Sequence, residues 1–90
     1  MSLTILAQIT AQPDKIDLVK AELEKLVGPT RAEPGCINYD MHQDNSDSCF
    51  FVFYENWETY DLWRDHMNSQ HIAAFRKATQ GAIEYCFKMR

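Results

Sequence analysis

The sequence predicts an α+β domain in which a four-stranded antiparallel sheet carries its helices on one face. Segments with alternating apolar and polar residues, typical of strands, occur at four places along the chain. Segments with apolar residues at helical spacing lie between them. The resulting order, β-α-β-β-α(α)-β, is the split βαβ or ferredoxin-like arrangement. Because 90 residues can enclose only one core, we expect a single domain over residues 1–90.

The first part of the chain predicts a strand followed by a helix. Residues Leu3 to Gln12 alternate and form predicted strand 1. Pro13 suits the beginning of a helix, and apolar residues then recur at helical spacing from Asp14 to Val27. Gly28-Pro29 is expected to interrupt this helix, leaving room for a short further turn through Arg31.

A hairpin follows the turn sequence Glu33-Pro34-Gly35. Strand 2 is predicted from Cys36 to Asp44, and strand 3 from Cys49 to Trp57, with a polar loop between them. The alternation places three apolar residues on one face of strand 2, namely Ile37, Tyr39 and Met41. Strand 3 is apolar on both faces, so we expect both faces to be covered.

The last part of the chain predicts two short helices and strand 4. Thr59 and Ser69 are suitable N-caps, and Gly81 is suitable for ending the second of these helices. The predicted ranges are Tyr60 to Met67, Gln70 to Thr79 and, for strand 4, Ala82 to Met89.

Composition argues against several classes of protein. The net charge is −4 and no basic run is present, so neither nucleic acid nor an anionic membrane is an expected partner. The N-terminal segment has no cationic leader, and no apolar run approaches the roughly 20 residues of a membrane span. The three cysteines, without a zinc-like spacing, predict reduced thiols and a cytoplasmic location.

The apolar second face of strand 3 predicts a protein partner. Helices on one face of the sheet would leave the other face open, with large apolar groups in water. The simplest partner is a second copy, and we therefore expect a homodimer through the sheet face.

Several short motifs follow one another in a fixed order. They are Pro29-Thr30-Arg31-Ala32-Glu33-Pro34-Gly35-Cys36, Tyr39, His42-Gln43-Asp44, Phe53-Tyr54-Glu55-Asn56-Trp57, His66 and His71-Ile72. Together they resemble the antibiotic biosynthesis monooxygenase domain family, with the small quinol monooxygenases as the nearest subgroup. The resemblance covers nearly the whole chain. It implies a dimeric α+β barrel and an enzyme that oxidises phenols or quinols with dioxygen and without a cofactor.

Such an oxidation needs a base for the phenol, donors for the resulting anion and a dry apolar pocket. His66 lies at the end of a predicted helix, where the dipole favours the cation, and His71 lies in a first turn, where it disfavours the cation. We therefore expect His71 to accept the substrate proton and His66 to stabilise the anion. The alternative is that both are ordinary helix-end residues.

Glu55 is the third predicted catalytic residue. It shares a strand face with three aromatic residues, so its pKa should be raised unless an arginine pairs with it. The alternative is a structural ion pair with Arg64, Arg31 or Arg76. The expected substrate-binding residues are Trp57, Phe51, Phe53, Trp63, His42 and Asn38; for His42 and Asn38, a solvated strand face is the alternative.

Other chemistries have less support. No metal site is predicted, because His66 and His71 lie on either side of a helix break and are not an i, i+4 pair. Related haem-degrading proteins use a strand 1 asparagine, where this chain has Gln8. A non-catalytic binding module for quinone-like or reactive molecules, or an isomerase or decarboxylase that uses the same pocket, stays open.

Overall fold

The computed structural model describes residues 2–90 and shows the expected ferredoxin-like fold. The elements are β1 Leu3–Ala11, α1 Ile16–Arg31, β2 Cys36–Gln43, β3 Phe50–Trp57, α2 Tyr60–Met67, α3 Gln70–Ala78 and β4 Ile83–Met89. The four strands form one antiparallel sheet in the order β2-β3-β1-β4. Strands β1 and β3 are therefore central, in agreement with their apolar character. Within residues 2–90, no helix is long and apolar enough to cross a membrane.

The core lies between the sheet and the three helices. Every second residue of β1 is buried, and Ile5 and Ile9 are completely inaccessible. Across the sheet, Ile9 pairs with Phe51 and Ala7 pairs with Phe53. The period of two along each strand thus builds one continuous apolar face, against which the helices pack.

Helix α1 differs from the prediction at both ends. It begins at Ile16 instead of Asp14, and it continues through Gly28-Pro29 to Arg31 without interruption. Pro29 lies in the last turn, where its ring removes only the one hydrogen bond that its own nitrogen would donate. Thr30, one residue later, is completely buried. Packing of this last turn therefore outweighs the local cost of the proline.

Strand β2 contains a bulge that the alternation did not predict. Cys36 pairs with Trp57 and Asn38 pairs with Asn56, so Ile37 has no partner between them. The extra residue turns Ile37 outward, where it is 54% exposed, and the expected face of Ile37, Tyr39 and Met41 is wrong at its first member.

The turn before β2 is held by a close contact with helix α2. Gly35 has a φ of +83°, and its carbonyl accepts a hydrogen bond from the Glu58 backbone N–H at 2.9 Å. A Cβ at this position would lie 2.9 Å from the Leu62 Cβ. Only glycine allows both the left-handed conformation and this approach. The turn therefore has a fixed position relative to α2.

The sheet is incompletely covered in the single chain. On its second face, Phe50 and Val52 are half-buried and Tyr54 is 43% exposed. On the helix face, the outer strand β4 leaves Tyr85 and Phe87 each 42% exposed. The expectation that β3 is covered on both sides does not hold within one chain, because all three helices pack on the other face.

Alanine substitutions at the three glycines should separate backbone strain from crowding. Gly28 is helical and has open space, so Gly28→Ala should stabilise the fold by up to about 1 kcal/mol. Gly81 has a φ of +77° and open space, so Gly81→Ala should cost about 1–2 kcal/mol. Gly35→Ala adds a clash with Leu62 and should cost roughly 2–4 kcal/mol. Urea unfolding of the three variants measures these values. Equal losses for Gly35→Ala and Gly81→Ala would show that the contact with Leu62 is unimportant.

Candidate active site

Three polar side chains meet beneath the helices. One carboxylate oxygen, Glu33 Oε2, lies 2.7 Å from His66 Nδ1 and 2.8 Å from His71 Nε2. His66 is 1% exposed, whereas His71 is 23% exposed and Glu33 is 15% exposed at its side chain. The cluster therefore extends from a buried imidazole to the protein surface.

Local structure explains why these side chains meet. Ser69 caps α3 by accepting a hydrogen bond from the Ile72 backbone N–H, and its own N–H donates to the His66 carbonyl at 3.0 Å. The chain thus turns sharply between α2 and α3 and directs both imidazoles to the same side. The helix break, which in the sequence argued against an i, i+4 metal-binding pair, brings His66 and His71 together.

The hydrogen bonds define the proton positions. An ionised carboxylate can only accept, so His66 donates from Nδ1 and His71 donates from Nε2. In a neutral His66, Nε2 then keeps its lone pair. Burial lowers the pKa of His66, and the hydrogen bond to Glu33 only partly opposes this effect. The direction of this shift is opposite to the one expected from the helix dipole, because desolvation is the largest effect on His66.

Glu55 is buried beside the tryptophan of the same strand. Glu55 Oε1 accepts a hydrogen bond from Trp57 Nε1 at 2.9 Å, and Glu55 is 2% exposed. Burial raises the pKa of Glu55 to about 7, a rise that the hydrogen bond from Trp57 reduces and the nearby Glu33 increases. Within residues 2–90, no arginine forms an ion pair with it; Arg31 bonds Asp40 instead. The direction of this shift agrees with the one expected from the aromatic surroundings.

Aromatic contacts join these groups into one cluster. The Trp57 ring lies 4.8 Å from the His66 ring, and the Tyr39 ring meets His66 edge-on at 5.4 Å. Tyr39 also stacks on Phe53 with ring centroids 4.2 Å apart. Glu55, Trp57, His66 and Tyr39 therefore form a continuous buried layer above β2 and β3.

An apolar cavity of about 120 Å³ adjoins this layer. Tyr39 and Phe53 form part of its wall, and Met67 and Ile72, the chain neighbours of the two histidines, form another part. The remaining wall residues are Ala7, Ile9, Leu23, Leu26, Phe75, Arg76, Ile83 and Tyr85. Tyr39 is shared by both features, so the cavity wall is backed directly by the His66 ring.

Of the six predicted substrate-binding residues, only Phe53 lines the cavity. Phe53 lines the cavity, whereas Phe51 and Trp57 are completely buried and do not line it. Trp63 packs against Phe87 at 5.1 Å and has a buried Nε1 without a hydrogen-bond partner among the described residues.

The other two predicted binding residues lie on the second face of the sheet. Asn38 is paired with Asn56, and His42 is paired with Val52, so both side chains point away from the helices. Asn38 donates to Asp40 and to the Tyr54 carbonyl, each at 3.1 Å. The structure therefore does not bring Asn38 and His42 to the cavity of the same chain.

Two central residues of the cluster were not predicted as site residues, Glu33 and Tyr39. Glu33 was assigned to a turn. Its contacts span long sequence separations, 33 positions to His66 and 38 positions to His71. The available signal was the motif Glu33-Pro34-Gly35-Cys36, in which a carboxylate directly precedes a tight turn.

The same cluster has the donor set of a metal site. The nearest ligand atoms of Glu33, His66 and His71 lie within 4.8 Å of one another. Two imidazoles and one carboxylate suit several transition metals. The argument against a metal that was based on the helix break is therefore removed by the structure.

Comparison with known proteins gives the class of this protein. The Antibiotic biosynthesis monooxygenase family model matches residues 2–78, and the chain belongs to this family. This confirms the resemblance seen in the motifs.

Individual relatives are similar over most of the chain. "Putative monooxygenase Rv0793" of Mycobacterium tuberculosis is 29% identical over 72 residues, covering 80% of this chain and 70% of the relative. An uncharacterised Synechocystis protein, sll1783, is 27% identical over 73 residues, covering 81% of this chain but 50% of the relative. The chain thus matches only half the length of the Synechocystis protein. The crystal structure of PA3566 from Pseudomonas aeruginosa has a TM-score of 0.94 at 34% identity, covering 99% of this chain and 91% of that one.

The raised pKa of Glu55 should make stability depend on pH. Between the ordinary pKa of 4.5 and the folded value of about 7, the folded protein holds a proton that the unfolded chain has lost. Stability should therefore fall as the pH rises through this window, by on the order of 2–3 kcal/mol. Glu55→Gln should remove this part of the pH dependence.

Urea unfolding of the protein and of Glu55→Gln at about pH 4.5 and pH 8 measures the effect. The difference between the two proteins isolates Glu55 from His66, whose lowered pKa acts in the opposite direction. The exposed Glu58→Gln is the matched control and should keep the pH dependence of the unsubstituted protein. The same pH dependence in Glu55→Gln would contradict the raised pKa.

Proposed function

We propose that this protein is a cofactor-independent monooxygenase that oxidises a phenol or quinol with dioxygen. One observation carries the proposal: a buried imidazole, oriented by a carboxylate, lies directly behind the wall of an apolar cavity. An imidazole oriented by a carboxylate is the arrangement that general bases use, and here Tyr39 lies between this imidazole and the cavity. The cavity supplies the dry surroundings in which an aromatic anion is reactive.

The proposed reaction balances without a further reductant. The base removes the phenolic proton, and the resulting anion transfers an electron to dioxygen. The substrate radical and superoxide then join in a carbon–oxygen bond, forming a peroxide. Cleavage of its oxygen–oxygen bond leaves one oxygen atom as a new carbonyl and releases the other as water, which takes up the proton from the base and a second from the substrate. The substrate is oxidised and dioxygen is reduced.

We assign the base to His66 instead of His71. Burial lowers the pKa of His66, which favours the neutral ring, and with Nδ1 donating to Glu33 the Nε2 atom keeps a lone pair. Glu33 holds the ring and stabilises the imidazolium that forms when His66 takes a proton. His71, at the more exposed end of the same carboxylate, is suited to relaying this proton toward the oxygen that is released as water. Glu55, with a pKa of about 7, is a second candidate relay, because it can give a proton to that oxygen and regain one from the base.

The proposal includes a homodimer through the sheet face. The second face of β3 carries Phe50, Val52 and Tyr54, and the single chain leaves them half-buried or exposed. A second copy stacked on this face would cover them, which suits a chain of 90 residues with a small core of its own.

Replacement of the base should abolish turnover while leaving the fold intact. His66→Asn should lower kcat for hydroquinone oxidation by about 100- to 10,000-fold, the usual contribution of a positioned base. Glu33→Gln should lower it by a comparable factor, because a neutral amide cannot stabilise the imidazolium as the carboxylate does. His71→Gln should have a smaller effect that added imidazole relieves. Oxygen uptake under saturating substrate measures all three.

Exposed Gln70→Ala, next to His71, is the control and should keep full activity. Full activity of His66→Asn would refute its role as the base. Activity that is lost on chelation and restored by a metal would make Glu33, His66 and His71 metal ligands instead. Binding without oxygen uptake would favour the protective module, and product formation without oxygen would favour an isomerase or decarboxylase.

Charge on the second sheet face should prevent the dimer. Val52→Asp places a carboxylate at the centre of the proposed contact, so it should shift sedimentation from dimer to monomer. Glu84→Gln, on the outer strand of the same face, is the milder comparison and should remain dimeric. A monomeric unsubstituted protein at micromolar concentration would rule out the dimer.

A further inference from the structure

The exposed residues of the cavity wall lie on one side, which we take as its opening. Ten of its twelve wall residues are buried or half-buried, and the two exposed ones, Arg76 and Tyr85, lie together at the β4 side. Tyr39 and Phe53, at the opposite side, are at most 2% exposed. A ligand would therefore enter between α3 and β4 and place its leading end against Tyr39, next to His66.

The volume of the cavity limits the size of this ligand. An apolar cavity of roughly 150 Å³ holds one benzene molecule, and pockets for drug-sized ligands measure roughly 300–1,000 Å³. At about 120 Å³, this cavity admits one ring but no fused ring system. Four of the wall residues are aromatic, Tyr39, Phe53, Phe75 and Tyr85, which suits a flat ring better than an alkyl chain.

The opening also carries a positive charge. Arg76 is the only charged residue of the wall, and within residues 2–90 no carboxylate forms an ion pair with it. A guanidinium at the mouth of an apolar cavity can bind a carboxylate on the trailing end of a ligand.

From these three features we infer that the ligand is a single-ring hydroxyarene with an anionic substituent opposite its hydroxyl group. Its hydroxyl group would lie against Tyr39, on the side of the cavity next to His66, and its carboxylate would bind Arg76 at the opening. This inference rests on the proposed function for the orientation of the hydroxyl group. The size limit and the charge preference depend on the cavity alone.

Calorimetric titration without oxygen tests the inference by binding instead of turnover. The probes are 4-hydroxybenzoate, neutral hydroquinone, 6-hydroxy-2-naphthoate and hexanoate. We expect 4-hydroxybenzoate to bind about tenfold more tightly than hydroquinone, a difference of roughly 1.4 kcal/mol. The naphthoate should not bind, and hexanoate should bind more weakly than 4-hydroxybenzoate.

Two sets of variants separate charge from size. Arg76→Gln should remove the preference for 4-hydroxybenzoate over hydroquinone, whereas Lys77→Gln, an exposed neighbour outside the wall, should keep it. Leu26→Ala enlarges the cavity and should admit the naphthoate. If Leu26→Ala does not fold, the half-buried Met67→Ala serves the same purpose.

Each result bears on one part of the inference. Equal binding of 6-hydroxy-2-naphthoate and 4-hydroxybenzoate by the unsubstituted protein would overturn the size limit. An unchanged preference in Arg76→Gln would overturn the role of the charge, and tighter binding of hexanoate would overturn the aromatic class. If the binding pattern is as expected but no oxygen is consumed, the proposed oxidation fails while the ligand class stands.

Discussion

The site depends on one carboxylate oxygen shared by two imidazoles. Glu33 Oε2 accepts from both His66 and His71, and these bonds give a completely buried imidazole its only polar partner among the described residues. A buried polar group without a hydrogen bond costs roughly 1–3 kcal/mol, so the arrangement is constrained by stability as well as by chemistry. It holds the Gly35 turn, the end of α2 and the beginning of α3 together.

The strand below this cluster has a second role. Trp57 donates a hydrogen bond to Glu55, and its ring packs against the His66 ring. One indole therefore contacts two ionisable groups whose pKa values shift in opposite directions. Burial favours the neutral form of both, which raises the pKa of Glu55 and lowers that of His66. One physical cause thus favours the protonated carboxyl and the unprotonated imidazole in the same layer, a combination suited to acid–base chemistry.

The element order followed from local patterns, and the structure confirms each strand and helix. The errors occur where packing outweighs a local preference. Helix α1 passes through Pro29 because its last turn is buried, and Ile37 turns outward because a bulge shifts the register of β2 by one residue. The raised pKa of Glu55 could be predicted since its aromatic neighbours are on the same strand. The lowered pKa of His66 is opposite to the sequence-based expectation, because the helix dipole is visible in sequence and the degree of burial is not.

By itself, the sequence determined the fold class and the family, and it identified His66, His71 and Glu55 as candidate catalytic residues. This was possible because side-chain periodicity and short motifs are local properties of a chain. Only the tertiary structure decided that Glu33 joins the histidines, that Tyr39 connects them to a cavity, and that Asn38 and His42 face the other way. Those contacts join positions more than 30 residues apart or depend on which face of the sheet the helices cover. The packing of α2 and α3 on the sheet determines both these long-range contacts and the face of the sheet that is covered.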